Sequence, residues 1–199
     1  NGAFYADGVI GGGYSNYQVR RGINFSTIDR TARSNQDGGQ FTSAINLGYD
    51  WKAAGFTFGP ILGAQYTYAG MNRFTETGAE SLDLAVGGQS AGSLRSTLGA
   101  RVAYTWNVCQ NVTIIPEVRA LWQHEFLNST RAINASLDGG NGPSFDFNTA
   151  TPGQDSLFGA AGITAQIGKT WNANLYYNVD VGRQDYLSHM VSGGLGISF

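Results

Sequence analysis

Cysteine is nearly absent from this chain of 199 residues; Cys109 is the single one. One cysteine cannot make an internal disulfide or a cysteine-based metal site. Charge is also scarce, at 13% Asp, Glu, Lys and Arg, about half of what a soluble domain usually carries. Twelve basic and 14 acidic residues give a net charge of -2, and no basic surplus of the kind a nucleic-acid partner needs. Long apolar runs are missing too. Mean hydropathy is -0.19, and no segment approaches the roughly 18 apolar residues of a spanning helix. A spanning β-strand stays open, because its alternating residues average to nothing on such a scale. The chain starts at "NGAFYADG", without an initiating Met or a leader, and reads as a processed or excised piece of one domain, residues 1–199.

What is abundant is glycine, 29 residues, and aromatics, 13%. They fall into a period of two. The last residues, "HMVSGGLGISF" (189–199), place His189, Val191, Leu195, Ile197 and Phe199 on one face and Met190, Ser192 and Ser198 on the other. Seven more segments read the same way, at 4–17, 41–51, 56–68, 93–106, 111–126, 156–168 and 171–181. The first is glycine-rich; Phe4, Ile10 and Tyr14 are placed on its apolar side and Asp7 opposite. Most of these segments have eleven residues or more, the ~9–11 of a tilted membrane strand rather than the ~5–6 of a soluble one.

Asp50, Arg95, Arg101, Glu117, Arg119, Glu125 and Asp180 all fall on the polar faces, and no charged residue falls on the apolar face of the seven clearly alternating strands. Parity alone fits a soluble sandwich as well as a membrane wall. Aromatic girdles favour the wall: Trp51, Phe56, Trp106, Trp171 and Phe199 lie at one set of strand ends, and Tyr66, Tyr68, Trp122, Phe126 and Tyr186 at the other. Connections at 52–55, 107–111 and 168–170 are tight, whereas 18–40, 69–92 and 127–155 are long and polar. Short turns on one side and long loops on the other describe an outer-membrane barrel with periplasmic turns. The fold expected is all-β, a transmembrane antiparallel up-and-down β-barrel with eight strands in this chain and both termini periplasmic. Its final strand must pair within a closed ring, because open edges are not viable in hydrocarbon.

The run of "YADGVIGGGYSNYQVRR", "LGYDWKAAGFTFGPILGAQYTYAGMNRFTETGAESLDLAV", "SLRSTLGARVAYTW", "PEVRALWQHEF" and "GGLGISF" resembles the autotransporter β-domain, the translocator of type V secretion. The resemblance covers almost the whole chain and is most specific from 47 to 126. It implies a bacterial outer-membrane domain that permits export of an N-terminal passenger through a lumen threaded by a linker. It further implies that Leu195, Ile197 and Phe199 belong to a signal read by the barrel assembly machinery. The family barrel has twelve strands, so this chain looks like its last eight. Inward positions such as Gly59, Gly63, Thr97, Gly99, Ala103, Ala160, Gly162 and Gly194 are small, too small to fill the narrow interior of an eight-stranded barrel. The other reading is a complete eight-stranded adhesin or structural protein with surface-binding loops.

Few residues in the chain offer catalytic chemistry. Ser188 adjoins His189, but neighbours on a strand point to opposite faces, and His124 and His189 read as interfacial side chains. "GGGYS" (11–15) lacks a nucleophile elbow or phosphate loop. "NST" (128–130) fits a glycosylation sequon or a plain polar loop. The scattered carboxylates have no metal-ligand spacing. No catalytic, cofactor or metal site, and no enzyme activity, is expected; the partners expected are outer-membrane lipid, the assembly machinery and the protein's own passenger or linker. The charges of 95–125 on two neighbouring strands either guide that linker or stiffen the wall.

Overall fold

The computed structural model describes residues 2–127, 130–150, 153–184 and 186–197. In chain order the strands are β1 (Gly2–Phe25), β2 (Ile28–Ala53), β3 (Phe56–Met71), β4 (Phe74–Thr75), β5 (Ala85–Val86), β6 (Gln89–Tyr104), β7 (Trp106–Cys109), β8 (Val112–Glu125), β9 (Ala132–Ser136), β10 (Ser144–Asn148), β11 (Asp155–Ile167), β12 (Trp171–Arg183) and β13 (Tyr186–Ile197). The main sheet follows β1-β2-β3-β6-β8-β11-β12-β13, with β7 also pairing β8. Every pairing is antiparallel, and each long strand neighbours the next long strand in the chain. The sheet curls into a half-barrel. This is the all-β, up-and-down architecture of a transmembrane β-barrel wall.

Burial separates the membrane wall from the sandwich. Leu98, Val118 and Leu175 are 52%, 60% and 57% exposed, whereas Glu117, on the strand that carries Val118, is 7% exposed. A soluble sheet buries its aliphatic face at about 25 cal/mol per Å²; here that face is the convex, open one. The alternation is clean along β3, where Phe58, Pro60 and Leu62 are exposed while Gly59, Ile61 and Gly63 are buried. Such a surface is stable only against another apolar phase. β1 follows the same facing. Phe4 and Ile10 pair with Tyr49 and Ser43, and Asp7 pairs with Asn46, whose amide donates to it at 3.0 Å.

Four features depart from the sequence expectation. The stretch 18–40 is not a loop: β1 and β2 continue through it as one hairpin with its turn at Ser26. The long connections 69–92 and 127–155 supply a second sheet, β10-β9-β5-β4. Both were illegible because a hairpin with water on each side has no apolar face to give a period. β11 starts at Asp155, which puts one carboxylate on the outward face at the end of the long connections. Finally, among the described residues β1 pairs only with β2 and β13 only with β12, so the path has two free edges. Phe199 and Ser198 lie outside the described residues, as do Asn128 and Ser129 of the sequon.

Two glycines let large rings lie flat on the inner face. A Cβ at Gly48 would run into the Tyr5 ring, and one at Gly162 into the Tyr176 ring. The β2–β3 ladder is interrupted between Gly48↔Ile61 and Trp51↔Phe58, where Pro60 has no N–H to donate.

Candidate functional site: the inner polar face

Asp50, Arg95, Arg101, Glu117, Arg119, Glu125 and Asp180 all stand on the face opposite the exposed aliphatics. Six of them join in two groups. Arg101 on β6 reaches across β3 to Asp50 on β2, with Nε and Nη2 donating at 3.1 and 2.5 Å. Its Nη1 donates to Glu117 at 3.4 Å, and Glu117 also accepts from Arg119. Arg101 and Arg119 are direct cross-strand partners; two cations there would repel, and the carboxylates of Asp50 and Glu117 offset them. Each cation also rests on one of the flat rings, Arg101 5.1 Å from the Tyr5 centroid and Arg119 5.7 Å from Tyr176. Glycine, ring and guanidinium thus stack in turn from the wall inward.

The second group lies nearer the end with the long connections. Glu125 accepts from Ser93 Oγ at 2.5 Å and from the Leu94 and Leu127 amides at 2.9 and 3.1 Å. Arg95 lies 4.0 Å from Glu125 and donates to Gln123 at 3.3 Å. Asp180 joins neither group, and its Oδ1 is buried with no hydrogen-bond partner. Above this level Arg131 folds in from the β8–β9 connection. A cavity of about 330 Å³ is lined there by Arg95, Glu125, Arg131, Thr149 and Arg183.

The long connections dock on the tall hairpin. Arg21 on β1 forks onto Glu76, Arg30 pairs with Glu80 at 2.9 Å, and Arg33 and Thr77 bridge backbone to backbone. Ala32 and Ala79 are fully buried between them. Burial opposes the charge of Glu76, but the Arg21 hydrogen bond, the Leu84 amide and the Arg21 charge outweigh it and hold this carboxyl below the usual carboxylate range.

Of the aromatic residues, Trp51, Phe56 and Tyr104 cluster with Tyr49 and Phe58 beside the tight turns; ring centroids of Phe56 and Tyr104 lie 4.8 Å apart. Trp106 and Trp171 are exposed at the same end. Tyr66, Tyr68, Trp122 and Phe126 are exposed toward the other end, with His124 between Trp122 and Phe126. Leu195 and Ile197 face outward on the edge strand β13. Among the described residues no three His, Cys, Asp or Glu side chains gather in a way that would hold a metal ion. The rings of Tyr5 and Tyr176 and the Arg21–Glu76 pair were missed by sequence reasoning. The only signal for the rings was the glycine opposite each, which is visible once the register is known.

Comparison with known proteins agrees with this geometry. The family model described as "Autotransporter beta-domain" matches residues 1–178. Outer membrane protein A of Rickettsia conorii (strain ATCC VR-613 / Malish 7) is 24% identical over 194 residues, which cover 94% of this chain and 9% of that protein. Outer membrane protein A of Rickettsia rickettsii is likewise 24% identical, with 94% of this chain and 8% of that protein covered. The chain therefore spans less than a tenth of the length of these relatives. An alternating wall with its aliphatics outside, its charges inside and a family match over most of its length leads to one assignment: the chain belongs to the autotransporter β-domain family of outer-membrane β-barrels.

Proposed function

We propose that this chain forms part of the wall of an outer-membrane translocator that anchors an N-terminal passenger and permits its export to the cell surface. The observation that carries the reading is the inner face: small residues along the strands, with the Asp50–Arg101–Glu117–Arg119 chain held against the wall by its own rings. These four charges, satisfied against the wall, leave the centre open, as a lumen that passes a polypeptide requires. Two free sheet edges support the same reading, since in hydrocarbon they must be paired by further strands to close a wider ring. The tight turns then face the periplasm together with both ends of the chain, and the hairpin and second sheet face outward. Lipid meets Leu98, Val118 and Leu175, and the assembly machinery reads the strand carrying Leu195, Ile197 and Phe199. Export of this kind needs no catalytic residue in the lumen.

The test is protease added to intact cells that express the full-length protein. The passenger should be digested, and deletion of the segment forming β13 should leave it undigested inside. A passenger that stays protected while the barrel is inserted would contradict the proposal. The second reading, a surface-binding protein, is favoured by one observation, the exposed Phe145 and Phe147 on the edge strand β10 of the outer sheet. It predicts that deleting 130–150 abolishes cell or surface binding while a passenger, if present, is still exported.

A further inference from the structure

His124 does not stand alone on the outward face. In the register it is flanked by Ser96 on β6 and Asp155 on β11, each its direct cross-strand partner. Directly opposed side chains lie about 4.5–5.5 Å apart at Cβ and share a face. So Ser, His and Asp form one row across three adjacent strands, drawn from residues 28 and 31 positions away from the histidine. His124 Nδ1 is 2.9 Å from Asp155 Oδ1, and Trp122 Nε1 donates to the same oxygen at 3.0 Å. A carboxylate only accepts, so the proton of neutral His124 sits on Nδ1 and Nε2 is left as the acceptor. Trp122 and Phe126 hold the imidazole from both sides, with ring centroids at 5.7 and 4.8 Å. Ser188, by contrast, is turned away from His189, which takes the Tyr177 hydroxyl at 2.5 Å instead.

The position of the row matters as much as its geometry. It lies level with the Trp122 and Phe126 girdle, toward the end with the long connections, and it faces away from the lumen. That is the depth at which acyl-ester carbonyls of lipids meet water. We propose that Ser96, His124 and Asp155 form a membrane-facing nucleophile, base and orienting carboxylate that hydrolyses carboxylic esters of lipids seated in the surrounding leaflet. The inference rests on the outward face meeting lipid and is independent of passenger export.

The steps balance with water as the co-reactant. Ser96 Oγ attacks the ester carbonyl carbon while its proton passes to His124 Nε2. The tetrahedral adduct collapses, the carbon–oxygen ester bond breaks, and His124 returns the proton to the leaving alcohol. Water, deprotonated by His124, then attacks the acyl-serine, releasing the fatty acid and restoring Ser96. Both β6 and β8 are central strands with neighbours on each side, so their backbone N–H groups are committed to the ladder. Without spare donors for the oxyanion, turnover is slow by about 10²–10³-fold, and covalent trapping is the better readout.

Outer-membrane fractions containing the full-length protein are treated with a lipophilic fluorophosphonate, and the adduct is located by peptide mass. Labelling of Ser96 is expected, lost in S96A, and slowed roughly 10²–10⁴-fold in H124Q, the range of a general base. D155N should change the pH profile of labelling, which a merely structural carboxylate would not move. Heat-modifiable mobility shows that each variant is folded. No adduct on the folded wild-type protein, an adduct on another residue, or undiminished labelling in folded H124Q would overturn the proposal.

Discussion

A single step along a strand reverses the cost of a charge. Leu98 is 52% exposed on the apolar face, and Thr97 beside it faces the inner polar groups. Leu98→Arg or Ile163→Arg should destabilise the folded barrel by roughly 2–4 kcal/mol, the penalty near the midplane of such walls. The same change at Thr97 or Thr164 should cost much less. Denaturant titration followed by heat-modifiable mobility measures the difference, and equal damage at both parities would refute the facing. This parity was legible from the sequence because side chains alternate strictly along a strand, as Phe58, Pro60 and Leu62 show. Asp155 was not legible, since "GQD" reads as loop until the strand pairing extends it. The Tyr5 and Tyr176 stacks were not legible either. They depend on pairing between strands that are distant in sequence.

At the element scale the informative contrast is between the hairpin β1–β2 and the strands that follow it. Its outer half, "QVRRGINFSTIDRTARSNQDGG", has no apolar face and therefore no period, yet it pairs without a break from Gly2↔Trp51 to Phe25↔Ile28. What holds the neighbouring loop to it is Arg21 on Glu76, with the Leu84 amide donating to Glu76 at 3.0 Å. The folded-state pKa of Glu76 is depressed. Its contribution is therefore complete above the ordinary glutamate value of about 4.3 and is lost as pH falls through the lower folded value. Hydrogen exchange at the Leu84 amide, taken relative to its intrinsic rate at each pH, should be slow at neutral pH and fast in acid in the wild-type protein. In Glu76→Gln it should already be faster at neutral pH, with a smaller acid response. An acid response as large in Glu76→Gln as in the wild type would assign the loop's docking to other groups.

For the molecule as a whole, the question is what closes the ring and what recognises its last strand. The eight-strand path and its order followed from counting alternating segments; the open edges did not, because curvature is a property of the assembled sheet. If Leu195, Ile197 and Phe199 are read by the assembly machinery, deleting Phe199 should impair insertion in cells far more than refolding into detergent. One terminal aromatic contributes only part of the burial, at most about a few kcal/mol. Loss of refolding as complete as the loss of insertion would make Phe199 a packing residue.

The central claim is that lipid lies outside the wall and water inside it. Spin labels report this directly. In the full-length protein with Cys109→Ser, single cysteines are placed at 98, 102, 118, 163 and 175 on one face and at 97, 103, 160 and 164 on the other, and labelled in membranes. The first set should collide with dissolved oxygen and be shielded from a water-soluble nickel chelate, and the second set should show the reverse. Accessibility that fails to alternate between Thr97 and Leu98, or between Ile163 and Thr164, would contradict the account.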